Sequence, residues 1–143
     1  MKTKYTIISS LALSILVFSC KAQHSSIIAD DALLVKVDST YSFTEGPASD
    51  KDGNVYFTDQ PNDKIIKWHA NDNSLSIFKE PSGRANGLYF DHDGNLLAAA
   101  DENNELWRIH SNGNVDTLLT SFEDKKLNGP NDIWVDLKGG IYF

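Results

Sequence analysis

Short apolar runs alternate with clusters of glycine, asparagine and aspartate along most of the chain. From Asn86 the runs are Leu88-Tyr89-Phe90, Leu96 to Ala100, Leu106 to Ile109 and Val115 to Leu119. Between them lie His92-Asp93-Gly94, Asp101 to Asn104 and Ser111-Asn112-Gly113. Apolar runs of strand length bounded by residues that tolerate positive φ predict hairpin-linked β-strands. Beyond the first twenty residues no segment carries an apolar period of 3.6, so the pattern predicts an all-β fold.

The pattern repeats. "EGPASDKDGNVYF" from Glu45, "NGLYFDHDGNLLA" from Asn86 and "NDIWVDLKGGIYF" from Asn131 align, with starts 41 and 45 residues apart. Asp50, Asp91 and Asp136 hold the same place in the turn of each copy. The first interval also relates Ile65 to Leu106, His69 to His110 and Asn71 to Asn112. The second is longer because the connection "TSFEDKKLNGP" intervenes, within which the acid-rich "SFEDKK" reads as a solvated loop. Four strands in a repeat of this length predict the blade of a β-propeller. Leu33 to Val37 occupies the place of an outer strand and is expected to close a ring. The chain then covers about two and a half blades, with Phe143 inside a strand of the third.

The first residues follow different rules. Lys2 and Lys4 precede an apolar run from Tyr5 to Phe18 that is too short to span a bilayer. Residues 1–19 are expected to be a signal peptide, 20–31 a tether and 32–143 the partial propeller. Val17-Phe18-Ser19-Cys20 is similar to a bacterial lipoprotein signal, which makes Cys20 the candidate lipidation site; cleavage after Ala22 is the alternative. Either predicts export, to a lipid anchor at the outer membrane or periplasm, or to secretion. The only membrane partner expected is that anchor.

The formal net charge of −7 argues against a nucleic-acid partner, which selects a basic face. One cysteine, in the leader region, excludes a disulfide framework and a thiolate metal site. No G-x-S-x-G elbow or P-loop occurs, which disfavours serine esterases and nucleotide hydrolases. The histidines His24, His69, His92 and His110 show no zinc-ligand spacing. Trp68, Trp107 and Trp134 fall within strands and are expected to pack between blades. Asp59 and Asp101 follow second strands and are expected to cap turns.

Glu45, Asn86 and Asn131 share one repeat position, just before the innermost strand of each blade. In a propeller that position faces the central channel. A carboxylate and two amides aimed there from different blades suit a hard divalent cation such as calcium. Arg84, two residues before Asn86, is expected at the same channel mouth, ready to bind an anionic or carbonyl oxygen.

"EGP" (Glu45 to Pro47), "RANGL" (Arg84 to Leu88) and "NGPNDIWVDLKGGIYF" (Asn128 to Phe143) resemble the senescence-marker-protein/gluconolactonase/luciferin-regenerating-enzyme-like family. Its members are six-bladed, calcium-dependent propeller lactonases. The resemblance implies that Glu45 and Asn131 are metal ligands and that Arg84 and Asn86 contact substrate, with a water-mediated contact of Asn86 to the metal as an alternative role. It implies a calcium cofactor, with zinc or another divalent metal as alternatives. The implied reaction is hydrolysis of a small sugar-type lactone to a hydroxy acid. The family's third ligand and general base is an aspartate in a later blade, beyond Phe143. Asp132 and Asp136 align with the first-strand residue and the turn, so neither takes that role, and the catalytic base stays unidentified. The alternative function is a non-catalytic exported propeller that binds ligands.

Overall fold

The computed structural model describes residues 27–29 and 31–143, in two units, one ending at Lys36 and one running from Val37 to Phe143. The expected leader and Cys20 lie outside the described residues. In the first unit the described residues form no helix or strand.

The second unit is all-β and forms part of a propeller. Its first blade is a four-stranded antiparallel sheet of β1 (Thr44–Ser49), β2 (Val55–Asp59), β3 (Lys64–Trp68) and β4 (Leu75–Lys79), in sequential order. The second blade repeats this with β5 (Ala85–Phe90), β6 (Leu96–Ala100), β7 (Glu105–Ile109) and β8 (Val115–Leu119). A small hairpin, β9 (Ser121–Phe122) with β10 (Lys125–Lys126), leads to a third sheet of β11 (Trp134–Val135) and β12 (Ile141–Tyr142).

The inner hairpin of each blade turns on its aspartate. Asp50 Oδ1 accepts the N–H groups of Asp52 and Asn54 at 3.0 and 2.9 Å. Asp91 does the same for Asp93 and Asn95, and Asp136 for Lys138 and Gly140, at 2.8 to 3.0 Å. Gly53, Gly94 and Gly139 occupy the positive-φ place in these turns. One carboxylate thus satisfies the orphan N–H groups of a tight turn, which is why aspartate recurs at this spacing.

The core lies between the sheets. Leu96 and Ala98 of β6 join Tyr56, Ile65, Ala85, Leu88 and Ile109 in a cluster shared by the first two blades. Leu97 and Ala99 face the other way and join Leu106, Ile133 and Val135, toward the third sheet. Successive side chains of a strand point to opposite faces. A blade covered on both faces therefore needs apolar residues at every position, and "LLAAA" supplies them. Tyr56 adds edge-to-face contacts with Phe78 and Phe90 at 5.0 and 5.1 Å.

Three expectations change. Leu33 to Val37 forms no strand, and its apolar side chains are exposed, Leu34 completely. A strand is stable only in a ladder, and among the described residues no strand pairs with this one; the last blade, against which it is expected to close the ring, is not among them. The "SFEDKK" loop is instead the β9–β10 hairpin, with Glu123 and Asp124 at φ 47° and 60°. Consecutive positive φ values are the signature of a type I′ hairpin turn. Of the tryptophans, Trp107 packs against the inter-blade cluster as expected, whereas Trp134 is 54% exposed and lies against Tyr142.

Candidate functional site

The first strands set the site. β1 and β5 each carry a bulge at their start, between Glu45 and Ala48 and between Ala85 and Leu88. A bulge adds a residue to one strand and re-aims the side chains beside it. Gly46 takes φ 58° within the first bulge. A Cβ there would collide with the Asn86 carbonyl oxygen and sit 2.8 Å from the Gly87 Cα. Gly87 repeats the device against the third sheet: its N–H donates to the Asn131 carbonyl at 2.6 Å, and a Cβ on it would lie 2.7 Å from the Asp132 Cα. These glycines let the innermost strands of successive blades approach backbone to backbone.

The approach creates a small cleft of about 270 Å³, lined by Glu45, Gly46, Pro47, Gly87, Leu88, Asn131 and Asp132. Glu45 and Asn131, far apart in sequence, thus share one cavity. Glu45 is half-buried, and its backbone carbonyl is held by the buried Thr58 hydroxyl at 3.1 Å. Its carboxylate makes no ion pair among the described residues. Asn86 is buried, and its backbone carbonyl, through the contact with Gly46, forms part of the seam between the blades. Its side chain does not line the cleft, and neither does that of Arg84. Arg84 is exposed, on the loop before β5, and has φ 51°.

Asp132, a first-strand residue by alignment, lines the cleft, with Oδ1 accepting the Ile133 N–H at 2.8 Å. The sequence placed it correctly beside Asn131. It could not show that a first-strand residue of one blade faces the strand start of the blade before it. No group of three or more His, Cys, Asp or Glu side chains able to hold a metal occurs among the described residues. The polar residues that line the cleft are two carboxylates, Glu45 and Asp132, and one amide, Asn131. Such a set fits a hard cation such as calcium and is unlike the imidazole and thiolate sites typical of zinc.

Around the cleft the structure is held by acidic caps. Asp59, at the end of β2, is buried and accepts the Ser42 and Phe43 N–H groups at 3.1 Å and Asn62 Nδ2 at 2.8 Å. Burial alone would raise its pKa. The bonds from Asn62, Phe43 and Ser42, with Lys64 nearby, outweigh burial and hold it below the ordinary carboxylate value. It therefore caps the chain entering β1, next to Glu45. The repeat-equivalent His69 and His110 bond within their own blades, to Ser76 Oγ and to Asn95 and Asp116, which is the structural placement expected of them.

The sequence profile of the SMP-30/Gluconolactonase/LRE-like region matches residues 43–143. A gluconolactonase of Zymomonas mobilis subsp. mobilis is 27% identical over 122 residues, 75% of this chain and 34% of that protein. A structural-genomics target placed among the gluconolactonases by its family is 29% identical, with a TM-score of 0.69 over 75% of this chain and 37% of that one. A gluconolactonase from Xanthomonas campestris, 22% identical, superposes with a TM-score of 0.70 over 73% of this chain and 35% of that one, and supports the fold. The chain spans about a third of the length of these relatives. With its matched region covering both blades and the third sheet, the chain belongs to the SMP-30/gluconolactonase/LRE-like family.

Proposed function

We propose that this chain forms the metal-holding part of a hydrolase that opens sugar-type lactones to hydroxy acids. The observation that carries the reading is the shared cleft of Glu45 and Asn131. Two blades bring a carboxylate and an amide together there without pairing the carboxylate to a cation of the protein's own. A carboxylate left without a cation of the protein's own is open to a positive ligand. Membership of the gluconolactonase-like family supports lactones as the substrate class.

Glu45, Asn131 and Asp132 would hold a divalent cation, calcium by the donor set. Once bound it would supply Lewis acidity to the lactone carbonyl. Glu45 brings the charge that sets affinity, because such sites are tuned by the number of charged oxygens. Asn131 adds a neutral oxygen. Arg84, at the same strand-start end of the blades, binds the ring oxygens or the hydroxy acid carboxylate and so orients the lactone. Asn86 contributes through its backbone, which fixes the seam; a direct contact of its amide with substrate belongs to the same proposal.

The test is hydrolysis of a sugar δ-lactone, followed with a pH indicator, before and after chelation and re-addition of calcium. Activity that disappears on chelation and returns with calcium supports the reading. Full activity in the presence of chelator would sink the metal-dependent reading, and none under any condition, from a protein that also carries the later-blade aspartate expected as base, would sink the hydrolase.

A further inference from the structure

Arg84 stands in an unfavourable backbone conformation, and the preceding blade holds it there. Gly83 and Arg84 take φ 66° and 51° in succession. Glycine adopts this region freely, but arginine does so only when surrounding contacts impose it. The contacts come from the turn after β2. Asp63 caps the single 3-10 turn Gln60–Asn62, and its Oδ1 accepts three hydrogen bonds from the Arg84 loop. These are from the Ser82 N–H at 2.9 Å, the Ser82 hydroxyl at 2.9 Å and the Arg84 N–H at 2.7 Å. Ser82 is fully buried, so the loop is anchored from beneath.

The other end of the same turn meets the Arg84 side chain. A guanidinium only donates, so the Gln60 amide turns its oxygen toward it. Gln60 Oε1 accepts from Arg84 Nη2 at 3.4 Å, and with the amide turned over the oxygen accepts from Nη2 at 3.0 Å and Nε at 3.3 Å. Arg84 makes no ion pair with a carboxylate among the described residues. Asp63 accepts the Ser82 and Arg84 N–H groups and the Ser82 hydroxyl instead. The guanidinium is therefore fixed by a neutral partner, and its charge stays available for a ligand.

The second blade uses the same part at the same place. Asn104, 41 residues after Asp63, also caps a 3-10 turn, at φ 60°. Its Oδ1 accepts the Gly129 N–H at 2.8 Å, on the loop that leads to Asn131. The turn after each second strand thus grips the loop feeding the next blade, and in the first blade that loop carries Arg84.

We propose that Gln60 and Asp63 are positioning residues for Arg84, with Asp63 setting its backbone and Gln60 orienting its guanidinium. The consequence for turnover rests on the reading of Arg84 as a substrate contact. Two readouts on the full chain separate the claims. The first is the NMR signal of the Arg84 Nε–H, identified by its loss in Arg84→Lys. Gln60→Ala should move it to the free-arginine position and speed its exchange with water by about tenfold or more, whereas Gln60→Glu should keep it displaced. The second is the kinetics of sugar δ-lactone hydrolysis. Gln60→Ala should raise KM by roughly tenfold with kcat little changed, and Gln60→Glu should raise it further by neutralising the charge. Asp63→Asn, which retains an acceptor oxygen, should stay near the parent in both readouts, and Asp63→Ala should not.

An Arg84 signal unchanged in Gln60→Ala overturns the positioning role. A moved signal with unchanged KM in an active parent overturns its importance for substrate. A parent that hydrolyses no lactone removes the proposed function only, because the NMR readout still decides the positioning. If Asp63→Ala does not fold, the Gln60 pair decides alone.

Discussion

Gly46 shows how much one residue can carry. It is required twice, by a positive φ and by the backbone of the next blade pressed against the place of its missing Cβ. Gly94 has only the first requirement, since nothing lies within 4 Å of a Cβ there. Gly94→Ala should therefore cost roughly 1–2 kcal/mol, the left-handed backbone penalty alone. Gly46→Ala should cost about 1–3 kcal/mol more, because rigid backbone must move to admit the methyl. Urea unfolding of the two variants checks this; equal midpoints would mean that the seam is looser than the structure indicates. A titration belongs to this scale too. Asp59 has a folded pKa below its unfolded value of about 3.9, so its contribution is complete above that value and is lost as pH falls through the folded pKa. Asp50 and Asp91 follow the same sign: burial pushes each up, and the bonds from Asn54 and Asn95 outweigh it. Stability should thus fall steeply below about pH 4, and Asp59→Asn should flatten that fall relative to the parent. A parallel pH profile in the variant would contradict the cap.

At the scale of the element, β6 is the decisive strand. Its five residues are all buried because sheets cover both faces. Leu97→Ala should lower stability by about 2–5 kcal/mol, since the cavity opens between rigid sheets that cannot collapse. A change under about 1 kcal/mol in denaturant unfolding would mean that the third sheet does not pack there. The four strands of the second blade were legible in the sequence, because short apolar runs and turn residues are local signals. Their partners were legible too, because a hairpin fixes its own pairing. Leu33 to Val37 was not, since an apolar run makes a strand only where a ladder receives it. The 3-10 turns read only as connections, and the bonds from Asp63 to Ser82 and Arg84 span about twenty residues with no pattern to announce them.

At the scale of the whole molecule, repetition converts local turns into a site. Because the first strands of successive blades are drawn together at glycine, residues at or near their starts meet in one cleft. The repeat groups Glu45, Asn86 and Asn131, and of the three Glu45 and Asn131 line one cleft. Arg84 and Asn86 belong to the same period but take other places, Arg84 on the loop and Asn86 in the seam. Asp132 reads in the sequence as a plain first-strand residue for the complementary reason: its alignment describes one blade, whereas the cleft is built between blades. The account therefore stands on whether that inter-blade cleft holds a cation.

Calorimetric titration of calcium into the parent and Glu45→Gln measures it most directly, with Asp93→Asn at an exposed turn as the control. Glu45→Gln preserves shape and removes one charged oxygen, so its calcium affinity should fall by about tenfold or more, while Asp93→Asn matches the parent. Calcium binding by Glu45→Gln as tight as by the parent, or no binding by the parent at all, would contradict the account.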